Sequence, residues 1–472
     1  MTKVLMVASE AAPFAATGGL AEVIGSLAPC LRERGDDVAV FVPRYRAIGL
    51  QGLTRTFDDL PIWLGSGSYA ASLYQATDRG VPYYFLDCPA LFDRDGLYGD
   101  SSGDYPDNYL RFAVFSRAAL ELVRRLFRPQ VIHCHDWQAA LVSVYLRTLA
   151  ACDPTFLGMK TVLTIHNLGY QGLFDRAILP KIGLDAALYR PDALEYFGKV
   201  GFLKGGLLYS DALTTVSRKY AEEIQTPELG FGLDGVLRTR AGALSGILNG
   251  VDYAQWDPRT DSLLAARYSP DNLLGKRSCK ADLLDAFGLS RENLGRPLVG
   301  IVSRFVGQKG FELLEEIAPE LLQEDLSLVA LGTGDPRTER FFTGLAEANP
   351  ERVAVRIAYD NALAHKIEAG ADIFLIPSLY EPSGLNQMYS LRYGTVPVVR
   401  ATGGLSDTVD DQTGFKFEEY SGAALLEALR AALAAYKNPF QWTQMIQAGM
   451  RKDYSWQASA SEYSALYRRL AG

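Results

Sequence analysis

Two kinds of segment alternate along this chain, and the alternation limits its fold more than any other feature. The short apolar, β-branched runs KVLMVAS, DVAVFVP, PYYFLDC, QVIHCHD and KTVLTIHN read as buried strands. Between them lie runs of helical length. One spans residues 20–34, with Leu20, Val23, Ile24, Leu27 and Leu31 on one face, and it stops before Gly35, a residue suited to a left-handed cap. A second series starts at 297 with PLVGIVSRF, LSLVALGTG, RVAVRIAY, DIFLIPS and TVPVVRA. Strands alternating with helices imply parallel sheets with right-handed crossovers. Two series in 472 residues, too many for one core, imply two Rossmann-like α/β domains.

The join falls in LSGILNGVDYAQWDP, where Asn249-Gly250 and Asp257-Pro258 are turn signals. The expected division is 1–245 for the first domain and 246–454 for the second. An amphipathic last helix in DYSWQASASEYSALYRRL follows them. Ligands of open parallel sheets bind beyond the carboxyl ends of the strands. Two such sheets facing each other would set that edge along an interdomain cleft.

Composition excludes some partners. A net charge of -8 leaves no basic excess for nucleic acid. No apolar run approaches a membrane span, and MTKVLMVASEAAPF reads as a first strand, not a signal peptide. The five cysteines form no CxxC pair and fit reduced thiols, so a cytoplasmic protein is expected. There are four histidines. His133 and His135 form an HxH pair, but no further ligand cluster supports a metal, and none is expected.

The pentapeptide ATGGL occurs twice, at 16–20 and at 401–405, each time opening a helix-compatible run. Glycines let a ligand approach the backbone, and a helix start suits a diphosphate. Gly18 and Gly19 in one copy, and Thr402, Gly403 and Gly404 in the other, are therefore donor-site candidates. In VSRFVGQKGFELL, Arg304 and Lys309 flank a glycine-containing loop and form a cationic clamp. In PSLYEPSGLNQMYSL, Glu381 follows a strand and leads into a helix near Gly384, where a carboxylate can accept from sugar hydroxyls. In VIHCHDWQAAL and LTIHNLGYQGLF, Asp136, His166 and Asn167 stand at strand ends and read as a polar binding wall.

These stretches, with FLKGGLLYSDALTTVS, LNGVD and EPSGLNQMYSLRYGTVPVVRATGGLSDTV, resemble the bacterial glycogen synthases, which are similar to plant starch synthases. The resemblance runs in order along essentially the whole chain. It implies a GT-B fold, with the C-terminal helix (455–472) crossing back to the first domain. It also implies retaining transfer of glucose from ADP-glucose to the non-reducing end of an α-1,4-glucan, without a metal or other cofactor. Arg304 and Lys309 would hold the diphosphate, and Glu381 the glucose hydroxyls. Ser383, Gly384 and Leu385 would offer backbone donors, as would Gly403 and Gly404. His166 would lie beside the anomeric carbon, with Asp136, Asn167 and Asn249 on the sugar and acceptor side. Domain closure is implied as well, because donor and acceptor groups lie on different domains.

Two departures stand out. Tyr389 occupies the place of a second glutamate found in broader relatives of this fold. Ala16 stands where the family carries a lysine, with Arg44 and Arg46 as substitutes by position alone. The residues alone also admit a related transferase with another nucleotide-sugar donor. They admit, too, a glucan-binding protein whose catalysis is weakened by Ala16.

Overall fold

The computed structural model describes residues 1–472 and divides into two compact units. The first contains 1–216, 221–250 and 456–472; the second contains 217–220 and 251–455. No helix is long and apolar enough to cross a membrane.

The first unit is built on a nine-stranded sheet. Its strands are β1 (Lys3–Val7), β2 (Asp37–Pro43), β3 (Thr54–Leu64), β4 (Gly67–Asp78), β5 (Val81–Asp87), β6 (Val131–His135), β7 (Lys160–Ile165), β8 (Ala212–Thr215) and β9 (Leu244–Gly246). They are ordered β9-β8-β7-β6-β1-β2-β5-β4-β3. Helix α1 (Gly19–Glu33) follows β1, and α2 (Asn108–Arg125) and α3 (Asp136–Arg147) flank β6. β6 is buried along its whole length, as expected for a strand covered on both faces.

The sheet is parallel from β9 to β5, but β4 and β3 run antiparallel at one edge. This hairpin is a correction to the all-parallel expectation. Its first strand, TRTFDDLPIWL, buries Leu60, Ile62 and Leu64 and exposes Pro61 and Trp63. One face packs and one is wet, so no continuous apolar run marks it.

The second unit holds a six-stranded parallel sheet. It comprises β10 (Leu298–Phe305), β11 (Ser327–Gly334), β12 (Val353–Ile357), β13 (Ile373–Ile376), β14 (Val396–Arg400) and β15 (Phe415–Phe417), ordered β12-β11-β10-β13-β14-β15. Neighbouring β10 residues serve opposite faces: Val299 and Ile301 join one core cluster, and Leu298 joins the other. α4 (Asn386–Arg392) follows β13, and α5 (Gly403–Thr408) follows β14.

The last helix, α6 (Trp456–Ala471), belongs to the first unit. Ser464 Oγ donates to buried Asp36 at 2.5 Å, and Gln457 Nε2 donates to Glu33 in the last turn of α1 at 2.8 Å. Tyr467 hydroxyl meets His133 Nδ1 at 2.7 Å.

Candidate active site

In the first unit, the loop from β1 to α1 is tied down by buried Glu10. Glu10 accepts from Thr17 N at 2.5 Å and Thr17 Oγ1 at 2.7 Å, and from the Tyr98 hydroxyl at 2.5 Å. Ala16, Gly18 and Gly19 are exposed on that loop. A Cβ added at Gly18 or Gly19 would meet nothing within 4 Å. Protein packing does not require these glycines, so the open space above them is available to a ligand.

The end of β6 and the end of β7 meet through Asp136. Its carboxylate accepts from His166 N at 2.7 Å and from the Asn167 backbone. Burial pushes the Asp136 carboxyl up to about 7, against the lowering effect of these two N–H groups. Asp136 has φ +56, a conformation that Asp and Asn tolerate better than most residues. Asn167 Oδ1 accepts from Gly169 N at 2.9 Å and closes its own turn. Asn249 is buried, and its Oδ1 has no hydrogen-bond partner.

His133 does not face outward as a metal ligand would. Its two ring nitrogens are taken by Tyr467 hydroxyl and by Thr164 Oγ1 at 2.6 Å. His135 Nδ1 instead lies 3.0 Å from His166 Nε2.

In the second unit, two loops at the carboxyl edge of the sheet are locked together. Leu379 N donates to Gln308 O at 2.9 Å, and Gly310, at φ +69, would place a Cβ 2.1 Å from Pro377 O. This lock brings Lys309 Nζ to 2.6 Å from Glu381 Oε2. Ser378 Oγ donates to the same oxygen at 2.9 Å. Arg304 is exposed at the end of β10. Ser383 is buried, while Gly384 and Leu385 are partly exposed just before α4.

The second ATGGL behaves differently from the first. Gly403 has φ +44, and its added Cβ would lie 1.9 Å from Glu381 O. A Cβ at Gly404 would lie 1.8 Å from Ser383 O. The Gly404 N–H donates to Glu381 O and Pro382 O, at 3.1 and 3.2 Å. The Gly404 amide thus buttresses the Glu381 loop. Thr402 is buried as the N-cap residue of α5.

Residues 3–239 match the starch synthase catalytic domain family, and residues 287–448 match glycosyl transferases group 1. A glycogen synthase of Koribacter versatilis is 51% identical over 98% of this chain and 97% of its own length. One of Anaeromyxobacter dehalogenans is 48% identical over 99% of this chain and all of its own length. The chain belongs to the glycogen synthase family. As a member of that family it is a glycosyltransferase of the GT-B fold. The catalytic domain of starch synthase IV from Arabidopsis thaliana, solved with ADP and acarbose, superposes with a TM-score of 0.90. It is 34% identical and covers 100% of this chain and 99% of its own. A sucrose-phosphate synthase from Thermosynechococcus elongatus, 18% identical with a TM-score of 0.61, shares the fold.

Within a glycogen synthase frame, the Tyr389 departure gains a structural account. Tyr389 lies flat on Trp256, with ring centroids 3.9 Å apart and planes at 4°. Trp256 stacks in turn on His365 at 3.7 Å. Asp261 binds His365 Nδ1 at 2.7 Å and accepts from the Tyr393 hydroxyl at 2.6 Å. The position of the absent glutamate is thus filled by a ring in a packed stack. Arg44 and Arg46, the substitutes by position, are both engaged with carboxylates of the first unit. Arg44 Nε is bound to Asp87 at 2.8 Å, and Arg46 to Asp93 and Asp95 at 2.8 and 2.6 Å.

Tyr359 is a further candidate that its sequence context hides. The run RVAVRIAY reads as one strand, but β12 ends at Ile357 and leaves Tyr359 91% exposed beyond its carboxyl end. An aromatic residue just past an apolar strand was the available signal. Glu10 was also missed, since nothing in the sequence ties it to Thr17.

Proposed function

We propose that the chain transfers glucose from ADP-glucose to the non-reducing end of an α-1,4-glucan, with retention of anomeric configuration. The observation that carries this reading is the Lys309–Glu381 pair, set at the carboxyl edge of a parallel sheet with Arg304 exposed nearby. A glycosyl transfer develops positive charge on the sugar and negative charge on the leaving diphosphate. Arg304 and Lys309 offset the second charge, and fixed cations of this kind lower the barrier directly. They do so without requiring a divalent metal. Glu381 holds hydroxyls of the transferred glucose, and the amides of Gly384 and Leu385 bind its oxygens or those of the phosphates.

On the first unit, Asp136, His166, Asn167 and Asn249 meet the sugar and the acceptor. Exposed Tyr359, beyond β12, offers a ring on which the base stacks. The leaving phosphate takes the acceptor's proton on the same face, which accounts for retention without a protein nucleophile. The five free cysteines support a cytoplasmic setting, where thiols stay reduced.

The test is release of ADP or UDP from each nucleotide-glucose, with and without glycogen. ADP release from ADP-glucose that depends on glycogen is expected. Turnover of UDP-glucose alone overturns the donor assignment. Failure with every donor favours a glucan-binding protein. A covalent sugar trapped on an enzyme carboxylate overturns the same-face mechanism.

A further inference from the structure

Three of the four histidines form one line in the first unit. His133 and His135 have ring centroids 4.1 Å apart, and His135 and His166 5.3 Å apart. The first two are fully buried and His166 half-buried. Burial pushes the rings of His133 and His166 down to about 3 and that of His135 well below its ordinary value. All three rings are therefore neutral near pH 7, with one N–H each.

Only one contact, His135 Nδ1 to His166 Nε2 at 3.0 Å, joins the second ring to the third. One of these nitrogens donates and the other accepts. The far side of His135 decides which, because its Nε2 is buried and has no partner. If His166 were the donor, His135 would carry its own proton on Nε2 as an orphaned buried N–H, the rarer kind of unmet group. If His135 donates, Nε2 keeps a bare lone pair. His135 is also the N-cap residue of α3, and the partial positive charge of a helix start favours a lone pair over a proton nearby.

We propose that His135 is a positioning residue for the sugar site: its Nδ1–H donates to His166 Nε2 and fixes the remaining His166 proton on Nδ1. His133 holds His135 in place by packing against it, with ring planes at 38°, and is itself held by Thr164 and by Tyr467 of α6. His166 then meets the sugar or the leaving oxygen as a hydrogen-bond donor. Its Nε2 is engaged by His135 and takes no proton from the acceptor, which leaves that step to the departing phosphate. The proposal rests on the reading of His166 as a sugar-site residue.

The test uses the full chain with ¹⁵N-labelled histidine. Long-range ¹H–¹⁵N spectra near pH 7 are assigned by removing the four histidines one at a time. A protonated Nδ1 and bare Nε2 on His166 are expected, with a protonated Nδ1 on His135. A proton on His166 Nε2 overturns the proposal on the unaltered protein. His135→Phe keeps a ring to pack against His133 but has no donor. It should mix the His166 tautomers and lower kcat about 10- to 100-fold, the size of loss that follows removal of a partner orienting a metal-bound histidine. The KM for ADP-glucose should change little. His135→Gln, which restores an N–H, should recover part of kcat. An unchanged His166 tautomer and kcat in His135→Phe also overturns the proposal. The expected tautomers without turnover of ADP-glucose would instead sink the donor reading and leave the proton arrangement standing.

Discussion

Lys309 Nζ lies 2.6 Å from Glu381 Oε2, so the cation proposed for the diphosphate and the carboxylate proposed for the sugar are partners in the protein itself. On that reading a bound donor draws Lys309 toward phosphate and Glu381 toward hydroxyls together. Losing a hydrogen bond to a charged group costs about 1.5–3 kcal/mol. Lys309→Met and Glu381→Gln should therefore each lower kcat/KM by about 10- to 100-fold. Each single variant also strands the other member of the pair. The double variant should then lose less than the product of the two single effects. A double-mutant cycle in kcat/KM checks this, and strictly multiplicative losses would show that the two act separately.

The two ATGGL copies should differ in how alanine affects stability. Gly404→Ala drives a Cβ to 1.8 Å from Ser383 O, whereas Gly19→Ala meets nothing within 4 Å. Overpacking of the first kind costs about 1–3 kcal/mol, enough to lower Tm by several degrees. Open substitutions usually stay within about 0.5 kcal/mol. Thermal melts should separate the two variants, while glucosyl transfer should fall in both. A Gly19→Ala enzyme of full activity would remove the first loop from the donor site.

The sequence showed the sheets because β1, β2, β5, β6, β7, β10, β11, β13 and β14 are apolar runs buried over most of their length, and edge strand β12 begins as one before Arg356 and Ile357 turn exposed. It hid β3 because alternate residues face water and Asp59 takes φ +48 in a strand with register shifts. Candidate residues beside a glycine or at a strand end were legible. Contacts made by distant residues were not: Lys309 meets Glu381 across 72 positions, and His135 meets His166 across 31. Tyr359 was hidden for a smaller reason, since its run ends as a strand two residues earlier.

Tyr359 provides a test of base stacking. A base stacked on an aromatic ring gains about 1–3 kcal/mol. Tyr359→Ala should raise the KM for ADP-glucose about tenfold or more, and Tyr359→Phe should leave it nearly unchanged. Steady-state kinetics on the three proteins decide it. Equal KM values would place the base elsewhere.

Ala16 is exposed, and the loop around it is held by Thr17 on Glu10, not by residue 16. A lysine side chain has room there. Ala16→Lys should add a charged partner for donor or sugar and improve kcat/KM by up to about tenfold, with Tm unchanged. An unchanged or poorer enzyme would mean that the site is built around alanine.

Asp136 should give the protein a pH dependence of definite sign. Its folded-state pKa, raised to about 7 by burial, lies above the unfolded value near 3.9. Between those values the folded state keeps a proton that the unfolded chain has released. Its stabilising contribution is thus full below about pH 4 and is lost as pH rises through about 7. Asp136→Asn does not titrate, and Asn suits the left-handed φ of +56. The Tm of this variant relative to the parent should rise between about pH 5 and about pH 8. Activity should run the other way, because the ionised carboxylate is the better acceptor for a sugar hydroxyl. The parent enzyme should gain turnover through about pH 7, and Asp136→Asn should be slower and lack that inflection. Melting curves and pH–rate profiles on the two proteins test both halves, and a Tm difference that stays constant across the range would show that Asp136 does not titrate there.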